Sequence, residues 1–529
     1  AYVKAFACVE CFKCTTDICP EELDPMLINE LIKKEYFARR LAEGAEFNSS
    51  VIFENTVIIR GFIFGGGNYS FFKKNFTLKE VEIFGKIDLD KVYFIKKVKF
   101  LNSKFSDEIK LSDALFESGL YIINCQLKGF DIQETTFQGP FTISDSNIDK
   151  TLNAQKAKFK GVCLVSSSQF ERAHFIEASF YNKTEFLNCT FEKSGNFKKL
   201  QTQKDIAFIG CICYGIISLE EAHIKDELYI RRTEFFHDAY FNKLLAQDNI
   251  VFEKVTFSTL ANFSRSEFYN TKFLQSKFCG ISNFQETIFS NNTKFLECEF
   301  QNRVHFARAI FLQKIDFRES EFKGLIAFGN MVGDYILLSR EQVEGKIIPD
   351  IEKDYINSQK EYLTLKEIFQ KQGNTYDRDW AHCHAERAAR KRIKIFPFNP
   401  FKLIYKFYNY IFMDLGCGYG TKPLNVILLS LTMIILFALL YFSLDCFFGY
   451  SVPEMFKAAG YAPAKEWTNS FLLSTVSFLP AGLAYWNVSM LKIGTYKEII
   501  PTVLILLENV IGIFLLLLFS MTFFRKLLK

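Results

Sequence analysis

The stretches ANFSRSEFYNTKF (261–273) and VHFARAIFLQKIDFRESEF (304–322) carry a phenylalanine at every fifth or sixth position. The two step lengths mostly alternate, so the repeat unit is about eleven residues. A helical face repeats every ~3.6 residues and a strand face every ~2, so neither element alone produces this spacing. A fixed short period is typical of a solenoid, in which each coil stacks on the next and one residue of each step points into a shared core.

The same spacing can be followed from Phe53 to Phe328, with Ile, Leu, Ala or Cys replacing Phe at some steps. Four steps take about 22 residues, so the pattern predicts on the order of a dozen coils over residues 53–330. In one middle portion the residues predicted to point inward are Phe159, Leu164, Phe170, Phe175 and Phe180.

This motif, written N-F-x-x-x-x-F, resembles the Phe-rich variety of the pentapeptide-repeat family. The resemblance implies a mainly β domain, a right-handed quadrilateral β-helix with four short sides in each coil. Because such a helix has two open ends, we expect the flanking segments to cap them. The motif specifies a fold and says little about activity.

Composition and motifs argue against two classes of function, nucleic-acid binding and catalysis. The net charge is only +5, which gives no general reason to expect a nucleic-acid partner. The sequence has no Gly-rich phosphate loop, nucleophile elbow or metalloprotease His pair, so we do not expect an enzyme. Seven of the fourteen cysteines fall within the repeats, where they suit a small apolar core position: Cys125, Cys163, Cys189, Cys211, Cys213, Cys279 and Cys298.

The N-terminal arm, residues 1–52, contains a second cysteine pattern. Cys8, Cys11, Cys14 and Cys19 are separated by two, two and four residues. Thiolates at such spacing can share one zinc ion or an iron–sulfur cluster, although an unliganded, cysteine-rich cap is the alternative. Residues 21–44 read as one or two amphipathic helices that would close the first coil.

A helical linker is predicted over residues 331–413. Apolar residues at helical spacing on both sides of Gly373 and Asn374 indicate two antiparallel helices meeting at that turn. Basic residues interleaved with aromatic ones then predict a helix at the cytoplasmic membrane interface, with Arg390, Lys391, Arg392, Lys394 and Lys402 facing anionic lipid.

A membrane segment is predicted over residues 414–529. Residues 424–444 carry no charge and residues 502–524 carry only Glu508. Either stretch is long enough to cross about 30 Å of hydrocarbon. Basic residues next to both spans place the two chain ends in the cytoplasm, so we expect a multi-pass membrane protein with a cytoplasmic solenoid.

Between the spans, residues 467–491 are also uncharged, and Pro480 with Gly482 interrupts them midway. A third full span would place the basic C-terminus outside the cytoplasm. We therefore expect a re-entrant element, with a short helix from about Thr468 to Phe478 followed by an irregular loop. Irregular backbone at membrane depth is tolerated only where protein or a watery cavity covers it, and this requirement indicates a pore.

The sequences GYGTKPLNVILLSLTMIILFALLYF (418–442) and LENVIGIFLLLLFSMTFFRKL (507–527) resemble the spans of bacterial pentapeptide-repeat proteins fused to a two-span, potassium-channel-like module. The resemblance implies four identical subunits around a pore in the bacterial inner membrane. In that family the loop between the spans resembles S-x-V-T-F-T-T-x-G-Y-G-D, whose carbonyl groups coordinate K⁺. This chain keeps SFLLSTVSF (470–478) but has LPAGLAYW (479–486) in place of the filter, so we expect an altered ion selectivity.

Six residues are candidates for the pore and its selectivity. Ser474, Thr475 and Ser477 offer hydroxyls that either face the pore or pack the short helix, and Pro480 and Gly482 replace the filter. Glu508 could form a pore ring, hold a proton or pair with the short helix. The resemblance implies an acid packed behind the filter, so we favour a structural role.

The expected function is that of a homotetrameric ion channel with a cytoplasmic β-helix as sensor. Its partners would be the lipid bilayer, further copies of itself, inorganic ions and a cytoplasmic ligand or protein. The alternative is a membrane-tethered binding scaffold with a non-conducting, pore-like anchor.

Overall fold

A computed structural model of the chain describes residues 46–48, 50–58, 70–394, 399–448, 467–479 and 496–527. Two compact units divide at residue 351: Ala1–Ile351 and Glu352–Lys529. The N-terminal cysteines Cys8, Cys11, Cys14 and Cys19 lie outside the described residues, as do the expected capping helices of residues 21–44.

The first unit is a parallel β-solenoid of about 13 turns, which confirms the repeat architecture expected from the phenylalanine spacing. Its short strands pair in parallel with strands one coil away and form two sheets. The first sheet contains the strands Glu46–Phe47, Val51–Glu54, Ser70–Phe72, Phe76–Lys79, Val92–Phe94, Val98–Leu101, Leu115–Phe116, Leu120–Ile123, Thr136–Phe137, Phe141–Ser144, Lys158–Phe159, Cys163–Ser166, Ser179–Phe180, Thr184–Leu187, Gln201–Thr202, Ile206–Ile209, His223–Ile224, Leu228–Arg231, Leu245–Glu253, Glu267–Leu274, Ile288–Phe289, Thr293–Leu296, Ile310–Phe311, Ile315–Asp316, Val332–Gly333 and Ile336–Leu337. The second contains Val57–Ile58, Glu82–Ile83, Ile87–Asp88, Lys104–Lys110, Gln126–Asp131, Asn147–Asn153, Gln169–His174, Thr190–Asn196, Ile212–Cys213, Ile216–Ser218, Glu234–Phe235, Ala239–Tyr240, Thr256–Phe257, Ala261–Asn262, Lys277–Phe278, Ser282–Asn283, Glu299–Phe300, Val304–His305, Glu321–Phe322 and Ile326–Ala327.

Phenylalanine rings fill the interior of the solenoid. Phe284 is fully buried, and its ring stacks between those of Phe263 and Phe306 at centroid distances of 4.8 and 5.0 Å. Rings from the adjacent sides of the coil, Phe273 and Phe295, meet it edge-on at 5.7 and 5.6 Å. Each ring therefore stacks along its own column and packs across the coil, which holds consecutive turns in one register.

The prediction that Leu164 points into the core is wrong by one position. The chain between Phe159 and Phe170 points Val165 inward, with no exposed surface, whereas Leu164 is partly exposed on the outer side of the strand Cys163–Ser166. Leu is the larger side chain, but a strand alternates its faces, and Cys163 and Val165 occupy the inner one. The steps on either side of Val165 are six and five residues, as elsewhere in the pattern.

Some buried polar side chains of the solenoid form hydrogen bonds between coils, and Ser146 is an example. The Ser146 hydroxyl donates to the carbonyl oxygen of Ser144 at 2.7 Å and accepts from the amide of Cys125, one coil earlier, at 3.0 Å. The Cys125 thiol is itself buried, and burial raises its pKa to about 11. The thiol is therefore neutral at physiological pH, which suits a packing residue rather than a nucleophile.

The last coil lies beyond the predicted boundary at residue 330, because the strands Val332–Gly333 and Ile336–Leu337 continue the sheet. Two short helices then follow, α1 (Arg340–Val343) and α2 (Ile348–Ile351). The Gln342 side-chain amide of α1 donates to the carbonyl oxygens of Phe317 and Ser320, both at 2.7 Å. The bond to Ser320 provides a donor for a carbonyl group at the end of the solenoid, whereas the Phe317 carbonyl oxygen also accepts from the Ser320 amide at 2.9 Å.

The second unit is helical. It comprises α3 (Tyr355–Lys371), α4 (Thr375–Arg392), α5 (Pro400–Tyr408), a π-helix (Asn409–Gly416), α6 (Pro423–Phe448), α7 (Trp467–Phe478) and α8 (Tyr496–Leu527). Helices α3 and α4 pack together and meet at the predicted turn, where Gly373 has a φ of 74° and the Asn374 side chain caps α4. The short helix expected between the spans is present as α7.

We expect Phe284→Ala to lower the free energy of unfolding of the solenoid by about 3–5 kcal/mol, because it empties a stacked and fully enclosed site. The control is Phe236→Ala. Phe236 is 43% exposed and stacks only on Tyr214 of the outer wall, so the expected loss is about 1 kcal/mol or less. Urea unfolding followed by circular dichroism measures both, and equal losses would contradict this account of the core.

Candidate functional site

Two helices of the second unit are long and apolar enough to cross a membrane. The apolar segments are Pro423–Leu444 of α6 and Val503–Leu527 of α8. Large aliphatic side chains on both are substantially exposed, among them Leu428 (62%) and Val510 (63%). Aliphatic surface of this kind is compatible with contact to lipid or to a further protein chain.

Helix α7 has only 12 residues, so at 1.5 Å per residue it spans about 18 Å and is too short to cross the hydrocarbon. It packs against both α6 and α8. The side chains of Ser470, Ser474 and Ser477 are all buried rather than on the exposed face of α7. Polar groups therefore line the contact between the short helix and the two long ones.

Glu508 lies at the centre of that contact and has no exposed surface. The Tyr441 hydroxyl of α6 is 2.6 Å from its Oε2 atom, and the Ser474 hydroxyl of α7 is hydrogen-bonded to its Oε1 atom. Ser474 also lies 2.8 Å from the carbonyl oxygen of Ile434 in α6. The carboxyl group thus connects the three helices through their side chains.

The carboxyl end of α7 is held by α8. The Asn509 side-chain amide donates to the carbonyl oxygens of Ser477 at 3.0 Å and Leu479 at 3.4 Å. Gly512 faces Phe478, whose carbonyl oxygen occupies the space that a Cβ atom at Gly512 would need. The glycine and the amide together let α8 approach the end of the short helix and bond its free carbonyl groups.

The other four predicted pore residues, Thr475, Ser477, Pro480 and Gly482, do not share one environment. The Thr475 hydroxyl donates to the carbonyl oxygen of Phe471 within its own helix at 2.8 Å, on a partly exposed face. The Ser477 hydroxyl is buried and has no hydrogen-bond partner among the described residues. Pro480 and Gly482 lie outside the described residues. The structure therefore brings together Ser474 and Glu508 of the predicted set.

A second polar cluster joins α4 to the chain just before the first long helix. Asp414 of the π-helix is buried, and its two carboxylate oxygens accept from Arg387 Nε and Arg390 Nη2, each at 2.8 Å. The Arg390 guanidinium also lies over the Tyr410 ring, 4.9 Å from its centroid. Two arginines one helical turn apart thus clamp a single acid.

The loop 417–422 extends this cluster to the end of α8. Gly418, Tyr419 and Gly420 have φ angles of 54°, 53° and 82°, so three successive residues adopt the left-handed conformation that glycine tolerates. The Cys383 thiol of α4 donates to the carbonyl oxygen of Gly418 at 3.0 Å, and Arg525 donates to that of Tyr419 at 3.2 Å. The loop is therefore held by α4 on one side and by α8 on the other.

The residues predicted for the membrane interface do not form one helix. Arg390, Lys391 and Arg392 end α4, Lys394 follows it, and Lys402 belongs to α5. Arg390 is largely buried through its pair with Asp414, whereas the other four are exposed. On α5 large apolar side chains are exposed as well: Phe401 (80%), Ile404 (64%) and Phe407 (62%).

Sequence reasoning missed Tyr441, Asn509 and the pair of Asp414 with Arg387. Asp414 directly follows the acid-free basic stretch, and it pairs with two arginines from that stretch. Tyr441 and Asn509 could have been noticed as polar groups inside apolar runs. Among the described residues, no cluster of three or more His, Cys, Asp or Glu side chains could hold a metal ion.

No family model, curated protein or solved structure matches the chain. We therefore argue its function from its own geometry.

We expect Asp414→Ala to destabilise the junction between α4 and the first long helix by about 3 kcal/mol, because two arginines lose their shared acid. Faster amide exchange across residues 409–422 would show this effect. The control is Asp226→Ala, which removes an exposed ion pair with Lys204 and costs about 0–1 kcal/mol. Unchanged exchange in the Asp414 variant would show that the clamp does not hold the junction.

Proposed function

We propose that this protein is an oligomeric ion channel of the bacterial inner membrane, with the solenoid as a cytoplasmic sensor. The observation that carries the proposal is α7, a 12-residue helix held between two long apolar helices. Its carboxyl end is bonded to Asn509 of α8.

A helix that starts and stops between two spans leaves the following residues at membrane depth. Residues 480–490 contain no charged side chain, so the sequence permits this placement. Backbone carbonyl and amide groups there need protein or water around them. Two spans are too few to enclose such a loop alone, so several copies would surround a common axis. The resemblance to two-span potassium-channel-like modules supports four.

The ion selectivity is proposed to differ from that of potassium channels. A row of backbone carbonyls built on Gly-Tyr-Gly-Asp is replaced here by LPAGLAYW (479–486). Proline cannot donate a backbone hydrogen bond and fixes its own φ, so Pro480 would impose a different loop geometry. The permeant ion would then be set by the shape and hydroxyl groups of the loop rather than by the carbonyl ladder of that family.

The clamped loop 417–422 supports a route by which the sensor could act. It is bonded to α4 through Cys383 and to the end of α8 through Arg525. A ligand or protein that binds the solenoid and shifts the α3–α4 hairpin would displace this loop. The displacement would reach the start of α6 and the end of α8 together, because both adjoin the loop.

Helix α5 is proposed to lie at the membrane surface, and this placement can be measured directly. We expect tryptophan fluorescence from Phe401→Trp to be quenched by brominated lipid in reconstituted vesicles, because that side chain is 80% exposed beside Lys402. The control is Tyr376→Trp on α4, which is 74% exposed on a helix rich in charge. Each substitution is made with the three native tryptophans replaced by phenylalanine. Equal quenching of both would contradict the interfacial placement of α5.

Ion flux tests the proposal itself. We expect the purified protein in planar bilayers to conduct, with a reversal potential under KCl and NaCl gradients that departs from the value for potassium alone. The wild-type current is compared with that of Gly512→Leu. This variant forces a side chain against the carboxyl end of α7, so it should reduce conduction. Absence of current from a well-formed oligomer, under every gradient tried, would exclude the channel.

A membrane-tethered scaffold is the second candidate function, and one feature of the solenoid favours it. Tyr214 and Phe236 stack on its outer wall at 5.2 Å and are 55% and 43% exposed. Ile216, beside them in the coil, is 42% exposed. Exposed aromatic and aliphatic groups side by side are typical of a protein-binding surface. A silent, well-formed oligomer would favour this function.

A further inference from the structure

The hydrogen-bond partners of Glu508 determine where its protons must lie. Three oxygen atoms of other residues belong to the cluster: the Tyr441 hydroxyl, the Ser474 hydroxyl and the Ile434 carbonyl. The carbonyl oxygen can only accept, whereas each hydroxyl has a single hydrogen to donate. The three contacts of the cluster require three hydrogens, whereas the two hydroxyl groups supply only two.

Ser474 is in contact with two oxygen atoms, whereas its hydroxyl has one hydrogen to donate. Its oxygen lies 2.8 Å from the Ile434 carbonyl, and it is also hydrogen-bonded to Glu508 Oε1. If the hydroxyl hydrogen points to Ile434, the Ser474 oxygen must accept from Glu508. A carboxylate has no hydrogen to give, so one of the two contacts would then bring lone pairs together in a buried site.

We infer that Glu508 is a neutral carboxylic acid that donates its own proton to Ser474. In this arrangement Oε1–H donates to Ser474, Ser474 donates to Ile434, and Tyr441 donates to Oε2, so that every contact has one hydrogen. The proton is then a structural part of the contact between α6, α7 and α8. The inference does not depend on whether the chain conducts ions.

The electrostatic surroundings agree with a neutral acid. Among the described side chains, no Lys, Arg or His pairs with Glu508, which is completely buried. The groups facing it are Tyr441 from α6 and Ser474 from α7, with Asn509 adjacent on α8. An uncompensated charge in such a site is costly, whereas a neutral acid with both of its contacts satisfied is not.

Infrared spectroscopy of the reconstituted protein tests the protonation state directly. A protonated carboxylic acid has a C=O stretch at higher frequency than either carboxylate band. We expect the wild-type spectrum at neutral pH, minus that of Glu508→Gln, to show one such band, and we expect it to shift in D₂O. Glutamine provides an N–H donor for Ser474 and an oxygen for Tyr441, so this variant is expected to fold.

A second variant separates the proposed bond from a merely buried acid. Ser474→Ala removes the acceptor of the Glu508 proton, so the C=O band should move to higher frequency while remaining present. A difference spectrum with only carboxylate bands at neutral pH would overturn the inference. A protonated band that does not move in Ser474→Ala would also overturn it, because the proton would then lie elsewhere on the carboxyl group.

Discussion

Parallel pairing between consecutive coils is the interaction on which the solenoid depends. Each backbone group along a side bonds to the coil before or after it, so any side chain that points inward must sit directly over its counterpart. The stacked rings of Phe263, Phe284 and Phe306 satisfy this condition at spacings of 4.8 and 5.0 Å. Flat aromatic rings match the separation between coils, which explains why one residue type recurs so often in the sequence.

The second unit meets a different constraint, because its long helices α6 and α8 are apolar almost all round and hydrophobic burial does not select one arrangement of them over another. Polar contacts supply the missing specificity. Glu508 fixes α7 against both long helices, and Asn509 fixes its carboxyl end. Asp414 plays the corresponding part outside the apolar segments by holding two arginines of α4. In each case a few buried bonds define the geometry where packing alone would leave alternatives.

The fold was largely predictable from the sequence because its signal is periodic and carried by large side chains. The prediction failed in two places where that signal is weak. At Val165, the larger neighbour Leu164 looked like the core residue. The last coil was missed because its strand Val332–Gly333 contains no phenylalanine. The candidate site was less predictable. Glu508 and Ser474 stood out as polar residues in apolar surroundings, but Asp414 lies 27 residues after Arg387. Such a pairing follows from how helices pack, which no local pattern reports.

Each described coil of the solenoid pairs with the coils before and after it, and the cap formed by Gln342 bonds to the last turns. A unit of about 22 residues could therefore be duplicated or lost by recombination without altering either end. The length of this domain is thus free to change in fixed increments over evolutionary time. Homologous chains of quite different size could keep the same helical unit attached to a longer or shorter solenoid.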